Sequence, residues 1–543
     1  MQSLSNPATT LVSFTMDIPS FTVAAGGVIA WLLLLWISRL RRKSLPFPPG
    51  PAGYPLIGYV HTPADPIWKT YREWSQKYNS NIVGYKILGT NIIIANTIEV
   101  ANELLERRSA IYSDRSTVGM TMAYELVGLR WTAALAPVGQ YWREARKLLQ
   151  QTFSPQLSRR YRPVQAAAIR RLLCNLLKDP LQFRDHTRYM TGEIIVRGSY
   201  GIDVQEKNDP YIAAAERVVC IANEILVPGK WLVDVLPILK YLPEWMPGAG
   251  FKRQARLWHR DSVAMTDNPF NAIKDHDDLP QYCAARLMLE NIDRNAEDAE
   301  NLTMLDHIKD SLATVYSAGS DTTTSILDTF ILAMALSPDI QREAQEDVDR
   351  VCEGRLPDYS DYGKIPYVDA LVRECLRWRP PVPLAVPHMV TQDDVYNGYF
   401  IPAKSVIFPN IKAMLLDPDN YPEPEQFKPT RFLVKSGSTS GPDMVLDTSV
   451  SDPSNIVFGF GRRACPGRWF AYDSLWMAFA SILATFDILP VKDENGRPVP
   501  PRDGCKGNFI THPEEFVCNI KPRSAKHKVL VTAAAAAAAA SDI

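Results

Sequence analysis

FGFGRRACPG, residues 458 to 467, places one cysteine, Cys465, at the end of a glycine-punctuated turn and directly ahead of an apolar stretch with helical character. Gly459 and Gly461 allow backbone conformations that a side chain blocks, and Gly467 lets the main chain come close to a bulky planar group. Backbone N–H groups of the turn, the start of the following helix and the cations Arg462 and Arg463 are all expected to favour a thiolate. A lone cysteine in a tight turn is ordinarily a structural thiol. Here Phe458, Gly461, Arg463, Cys465 and Gly467 fall at the spacing FxxGxRxCxG, and five fixed positions rarely coincide by chance.

The totals restrict what surrounds this stretch. The 543 residues are 46% hydrophobic and 22% charged, an ordinary globular balance. A formal net charge of −1 gives no support to nucleic-acid binding, for which a basic balance is expected. The eight cysteines show no CxxC pairing and no dense framework, which fits a reducing compartment.

Upstream, residues 18–38 carry no charge and include the run Trp31 to Ile37, long enough as a helix to cross a bilayer core. Arg39, Arg41, Arg42 and Lys43 follow, so the positive-inside rule predicts an uncleaved single-span anchor with its C-terminal side in the cytosol. Residues 1–17 are then lumenal. The basic and proline-rich segment 39–58 reads as a stiff hinge. Beyond it, Asp65-Pro66 is expected to open a helix, Val83 to Ala95 to form a hairpin turning at Gly89-Thr90-Asn91, and a helix to follow Thr97. Residues 228–251 are rich in Trp, Leu and Val and broken by prolines, as suits either a membrane-dipping surface or a packed lid.

Three further clusters carry chemistry. In WREAR, Trp142 and Arg146 lie four apart on one helix face, where an indole N–H and a guanidinium can converge on one anion. A long core helix is predicted from about Asn301 to Leu336 and contains AGSDTT, residues 318–323. Its Gly-Ser pair should weaken the helical ladder and leave a notch, with Asp321 and Thr322 side by side in an apolar wall. Glu374 and Arg377 form an ExxR pair on another helix. Downstream, residues 511–513 and 516–518 suggest a terminal hairpin, and Ala533 to Ala540 a helix-prone, low-complexity tail in 525–543.

Taken in order, these stretches resemble the cytochrome P-450 family of haem-thiolate monooxygenases, most closely fungal microsomal members such as the O-methylsterigmatocystin oxidoreductase-like group. The resemblance implies a mainly α fold with small β-sheets over residues 59–524, preceded by the single transmembrane helix. It implies haem b with Cys465 as axial iron ligand, cradled by Phe458, Gly461, Arg463 and Gly467. Trp142, Arg146 and, by its position, His388 would bind haem propionates. Asp321 and Thr322 match the run that binds dioxygen and relays protons. Glu374, Arg377 and Arg431, the last from PTRF, match a structural ion-pair network. Thr430 departs from the family's usual glutamate, and Lys412 and Leu416 depart from its Trp and His; the latter two are expected to be surface variation.

The reaction so implied is insertion of one oxygen atom of O2 into a hydrophobic small molecule, in secondary metabolism or xenobiotic oxidation. The stretch after Gly467 is too short for a flavin domain, so electrons are expected from a separate NADPH-cytochrome reductase, with the enzyme on the endoplasmic reticulum membrane. A haem-thiolate isomerase or dehydratase, or a non-enzymatic membrane-anchored haem protein, are the alternatives; the acid-alcohol pair Asp321-Thr322 argues for the monooxygenase.

Overall fold

The computed structural model describes residues 45–540 except 55, 56, 60–62, 64, 117–119, 228, 229, 277, 291, 293–298 and 437–443. The expected anchor at 18–38, the lumenal segment and the basic part of the hinge lie outside the described residues. Among the described residues no helix is long and apolar enough to cross a membrane.

Helix α1 (Ile67–Lys77) covers one face of a small sheet. Pro66, not Asp65, occupies its N-cap and makes no side-chain capping bond. Strands β1 (Ile82–Ile87) and β2 (Thr90–Ala95) pair antiparallel, with Ile87 opposite Thr90. The turn is therefore Leu88-Gly89, one residue earlier than expected, and both residues have positive φ (46° and 83°). That conformation matches the twist of a two-residue hairpin. Side chains alternate across the sheet as a period of two requires. Tyr85, Ile92 and Ile94 pack with Tyr71 of α1, while Ile82, Ile93 and Ala95 join the main core.

The segment after Thr97 is not one helix. A single α turn capped by Thr97 gives way to a π turn over Asn102–Arg107, then a second short α turn. Such widened turns are frequent at functional sites, and this one brings the backbone of Leu105 and the carboxylate of Glu106 against Gly461.

The helical body follows: α2 (Gln140–Thr152), α3 (Arg162–Lys178), α4 (Phe183–Tyr200), α5 (Pro210–Ile225) and α6 (Gly250–Asn271). The longest helix, α7 (Ala299–Leu336), has 38 residues, about 57 Å at the α-helical rise. It packs most extensively on α4 and also touches α2, α5 and the later helix over Arg468–Thr485. Gly319 is the reason α4 comes so close, because a Cβ there would lie 2.4 Å from the Ile195 side chain. The glycine thus serves packing and faces α4, and the helix runs unbroken through it. Helices α8 (Pro338–Cys352) and α9 (Pro366–Trp378) complete this half.

Strands β3 (His388–Met389) and β4 (Val406–Pro409) then return to the first sheet, giving the order β1-β2-β4-β3, with β2 and β4 parallel. Helix α10 (Arg468–Thr485) is buried continuously from Asp473 to Thr485, and its Phe479 stacks on Phe330 of α7 at 3.9 Å. The C-terminal strands do not form the expected hairpin. β5 (Phe486–Leu489) pairs with β8 (Asn519–Pro522), and β6 (Cys505–Lys506) with β7 (His512–Pro513). Gly507, with φ of 104°, supplies a bend just after β6, upstream of the turn the sequence reading placed. Helix α11 (Ala525–Ala540) docks on α3 with Val531 fully buried, so the Ala-rich tail begins as part of the folded body.

Candidate active site

The loop 458–467 is closed by Cys465 N–H donating to the Phe458 carbonyl at 2.7 Å. Gly459 and Gly461 have positive φ (77° and 55°), and a Cβ on Gly461 would fall 2.3 Å from the Leu105 carbonyl oxygen. Glu106 accepts the Gly461 N–H at 2.6 Å. Gly467 has an ordinary φ of −85°, and a Cβ there would meet nothing within 4 Å, so space lies over the loop at that point. Cys465 keeps partial exposure, yet the enclosing protein pushes its thiol up; the Gly467 N–H, Arg146 and Arg468 oppose that shift. Arg462 and Arg463 do not supply the stabilisation expected of them. Arg462 is exposed, and the guanidinium of Arg463 is committed elsewhere.

Arg463 donates to the carbonyls of Ser113 (2.7 Å), Ala133 (3.1 Å) and Ala136 (2.8 Å), and its guanidinium stacks on the Trp142 ring at 4.2 Å. Arg115 donates to the carbonyls of Ala134, Val386 and Pro387. His388 Nδ1–H donates to the Tyr112 carbonyl at 2.8 Å, the tautomer following from a partner that can only accept. Arg146 is partly enclosed and its buried Nε has no partner. Burial pushes the Arg463 guanidinium down to about 9, with Arg146 adding to the shift, and pushes Arg115 and His388 well down, with charge repulsion adding. Asp114 opposes the shifts at both Arg115 and Arg463. Arg115, Arg146 and Arg463 outnumber it, and an enclosed excess of positive charge beside an orphaned guanidinium nitrogen fits the anionic edge of a ligand.

On α7, Ala318 is exposed although it sits mid-way along a core helix, and Thr322 Oγ1 donates to the Ala318 carbonyl at 2.9 Å. An open face with a hydroxyl on it thus interrupts the apolar wall. Asp321 does not sit against that hydroxyl. Its carboxylate accepts from His512 Nε2 at 2.9 Å, because the helical advance turns it toward α4, α5 and β7.

Glu374 and Arg377 are both 0% exposed, and Arg377 grips both carboxylate oxygens at 2.7 and 2.9 Å. Arg377 also donates to the carbonyls of Leu415, Pro424 and Gln426, while Arg431 Nε and the Lys428 N–H donate to Glu374. This network clamps α9 to the segment 415–431. Lys412 and Leu416 are not surface variation: Leu416 is buried, and the Lys412 ammonium reaches inward to the Trp378 carbonyl. Burial, with Arg377 nearby, pushes that ammonium down to about 7.

A family model described as Cytochrome P-450 matches residues 48–519. The chain belongs to the cytochrome P-450 family. A cytochrome P-450 monooxygenase of Rhodocybe pseudopiperita is 38% identical over 525 residues, covering 95% of this chain and 98% of that protein. Another from Armillaria gallica is 39% identical over 94% of this chain and 99% of its own length. The tryptamine 4-monooxygenase of Psilocybe cyanescens is 37% identical over 90% and 94%. A solved zebrafish cytochrome P-450 with abiraterone superposes with a TM-score of 0.66 at 18% identity, covering 84% of this chain and all of that one, which shows the shared fold.

This P-450 is accordingly a monooxygenase that holds haem through a cysteine thiolate, and Cys465 is the cysteine of its ligand loop. The residues fit that group: a partly exposed thiol two residues from the open space at Gly467, and an enclosed cationic cluster suited to carboxylates. Arg115 and His512 escaped the sequence reading. Arg115 lies in an irregular stretch without periodicity, and His512 meets Asp321 across 191 residues.

Proposed function

We propose that this P-450 oxidises a hydrophobic small molecule of secondary metabolism, of terpenoid, polyketide or aromatic type, at the cytosolic face of the endoplasmic reticulum membrane. Electrons come from a separate NADPH-dependent reductase. The observation that carries the reading is the open face of α7, where exposed Ala318 and the Thr322 hydroxyl interrupt an otherwise buried helix. An apolar face with one hydroxyl suits a greasy substrate and a proton donor. The name of the Psilocybe relative lends support to an aromatic substrate.

When bound, the haem supplies dioxygen activation and the oxidising chemistry, with the Cys465 thiolate donating electron density. Trp142, Arg115, Arg146 and Arg463 would hold its anionic edge, His388 could join them only as the imidazolium because its Nδ1–H is given to the Tyr112 carbonyl, and Phe458, Gly461 and Gly467 would shape the ligand loop. Thr322 holds a proton at Oγ1 on the open face. Asp321, turned toward His512 on another side of α7, would take up protons there and swing toward the Thr322 hydroxyl to return them.

Membrane contact is supported by the segment after Lys230. Ile238, Tyr241 and Trp245 are 74%, 75% and 79% exposed, while Asp234 accepts the Met122 N–H and Lys240 pairs with Glu125, each at 2.7 Å. The segment is thus fastened to residues 121–126 and turns its apolar side chains outward, as an interfacial surface does. The test is reductase-dependent consumption of O2 across a panel of hydrophobic metabolites, chosen by the substrate-induced shift of the Soret band. Oxygenated product that requires reductase and NADPH is expected; conversion of a bound compound without reductant would replace this reading with an isomerase or dehydratase.

A further inference from the structure

A cleft of about 1070 Å3 opens along the side of α7 that carries Asp321, walled by α4, α5 and the C-terminal strands. His512 stands in it with Nε2–H donating to Asp321 Oδ2 at 2.9 Å, and among the described residues it is the one side chain bonded to that carboxylate. Three other cations of the cleft are engaged elsewhere, Lys506 pairing with Glu515 at 2.8 Å. Arg188 pairs with Glu216 at 3.4 Å, and Arg184 donates to the Pro513 carbonyl at 3.3 Å. The backbone holds the ring in place from both sides. Lys506 is the strand partner of His512, Thr511 N–H donates to the Pro381 carbonyl at 2.8 Å, and Ser325 Oγ donates to the Thr511 carbonyl at 2.6 Å.

A lysine or arginine would suffice to hold a carboxylate in position. An imidazole can also accept a proton at one nitrogen while releasing another from the second, near neutral pH. We infer that His512 passes protons from water in this cleft to Asp321. A water proton arrives at Nδ1, the Nε2 proton moves to Oδ2 of Asp321, and the ring is left as its Nδ1–H tautomer. It regains the Nε2 proton by turning over or by exchange with cleft water. No electron moves, and each proton delivered is replaced from solvent. The inference rests on the proposed relay through Asp321 and Thr322, to which it adds the entry point.

The test uses the full-length holoenzyme with its reductase and compares His512→Gln, Asp321→Asn and the double variant. Glutamine keeps an N–H for Asp321 and cannot relay. An unchanged carbon monoxide Soret band in every variant checks that the haem pocket is intact. NADPH consumption without added substrate, measured in H2O and D2O, should slow by about tenfold in His512→Gln, with a larger solvent isotope effect. The double variant should be no slower than Asp321→Asn alone. Independently of turnover, the 15N signal of His512 Nε2 in the carbon monoxide form should move on Asp321→Asn. If Asp321→Asn is slow while His512→Gln matches wild type, His512 only positions the acid and the inference falls. If Asp321→Asn itself is silent, the relay reading falls first. A His512 signal indifferent to Asp321→Asn overturns the pairing itself.

Discussion

Glu374 lies fully buried among Arg377, Arg431 and the Lys428 N–H, so removing its charge strands two guanidiniums in the interior. Glu374→Gln should cost about 3–5 kcal/mol, measured as a lower urea midpoint and poor haem incorporation. Arg377→Lys should be nearly as damaging, because one ammonium cannot reach both carboxylate oxygens and three carbonyls. Lys412 gives the opposite sign. Its ammonium is pushed down to about 7, whereas an unfolded lysine titrates near ~10.4. Between those values the unfolded chain binds more protons, so stability should rise as pH increases from 7 toward 10. Lys412→Met should stabilise the protein at pH 7 and flatten that rise in urea titrations. Residue identity in the motifs was legible because the spacing FxxGxRxCxG names Cys465, and the resemblance it opens picks out Trp142 and Glu374, whose own short motifs are weak alone. The partners of Glu374, which are Arg377 and Arg431, were legible with it; the contacts of Arg463 and Lys412 were not. Arg463 is committed to carbonyls of residues 113–136, and Lys412 turns inward, through contacts that leave no local pattern.

Among the elements, the ligand loop depends on the π turn before it. Gly461 is pressed against the Leu105 carbonyl at a left-handed φ, so Gly461→Ala should displace the loop and lower haem content per protein, read as the ratio of Soret to protein absorbance. On α7, Thr322→Ala removes the hydroxyl from the open face while leaving the helix intact. Product per NADPH should fall and hydrogen peroxide rise; tight coupling in that variant would remove Thr322 from the relay. The long helices and the first hairpin were readable from hydrophobic period and turn chemistry. The π turn was not, since it differs from an α turn by one hydrogen-bond step. Nor was the C-terminal pairing, because strands of two residues carry no alternation to read. Gly319 was read as a notch in the helix, whereas it sets the distance to Ile195 of α4, a tertiary contact.

For the whole molecule, motifs spread from Trp142 to Cys465 converge in one helical body, which is why sequence order alone conveyed a single catalytic domain. The surface was less legible: the apolar run after Lys230 reads equally as a lid or a membrane contact, and the exposure of Ile238, Tyr241 and Trp245 supports the proposed membrane contact. A chain lacking residues 1–44 should still float with phospholipid vesicles, and Ile238→Asp with Trp245→Asp should release it, each lost side chain weakening binding by about 1.5–3 kcal/mol. The central claim is that Cys465 is the thiolate ligand of a haem iron in this fold. Its most direct measurement is the absorption spectrum of the reduced, carbon monoxide-treated protein. The red-shifted Soret band of thiolate ligation should appear in the wild type and vanish in Cys465→Ala; a band that survives that substitution would contradict the assignment.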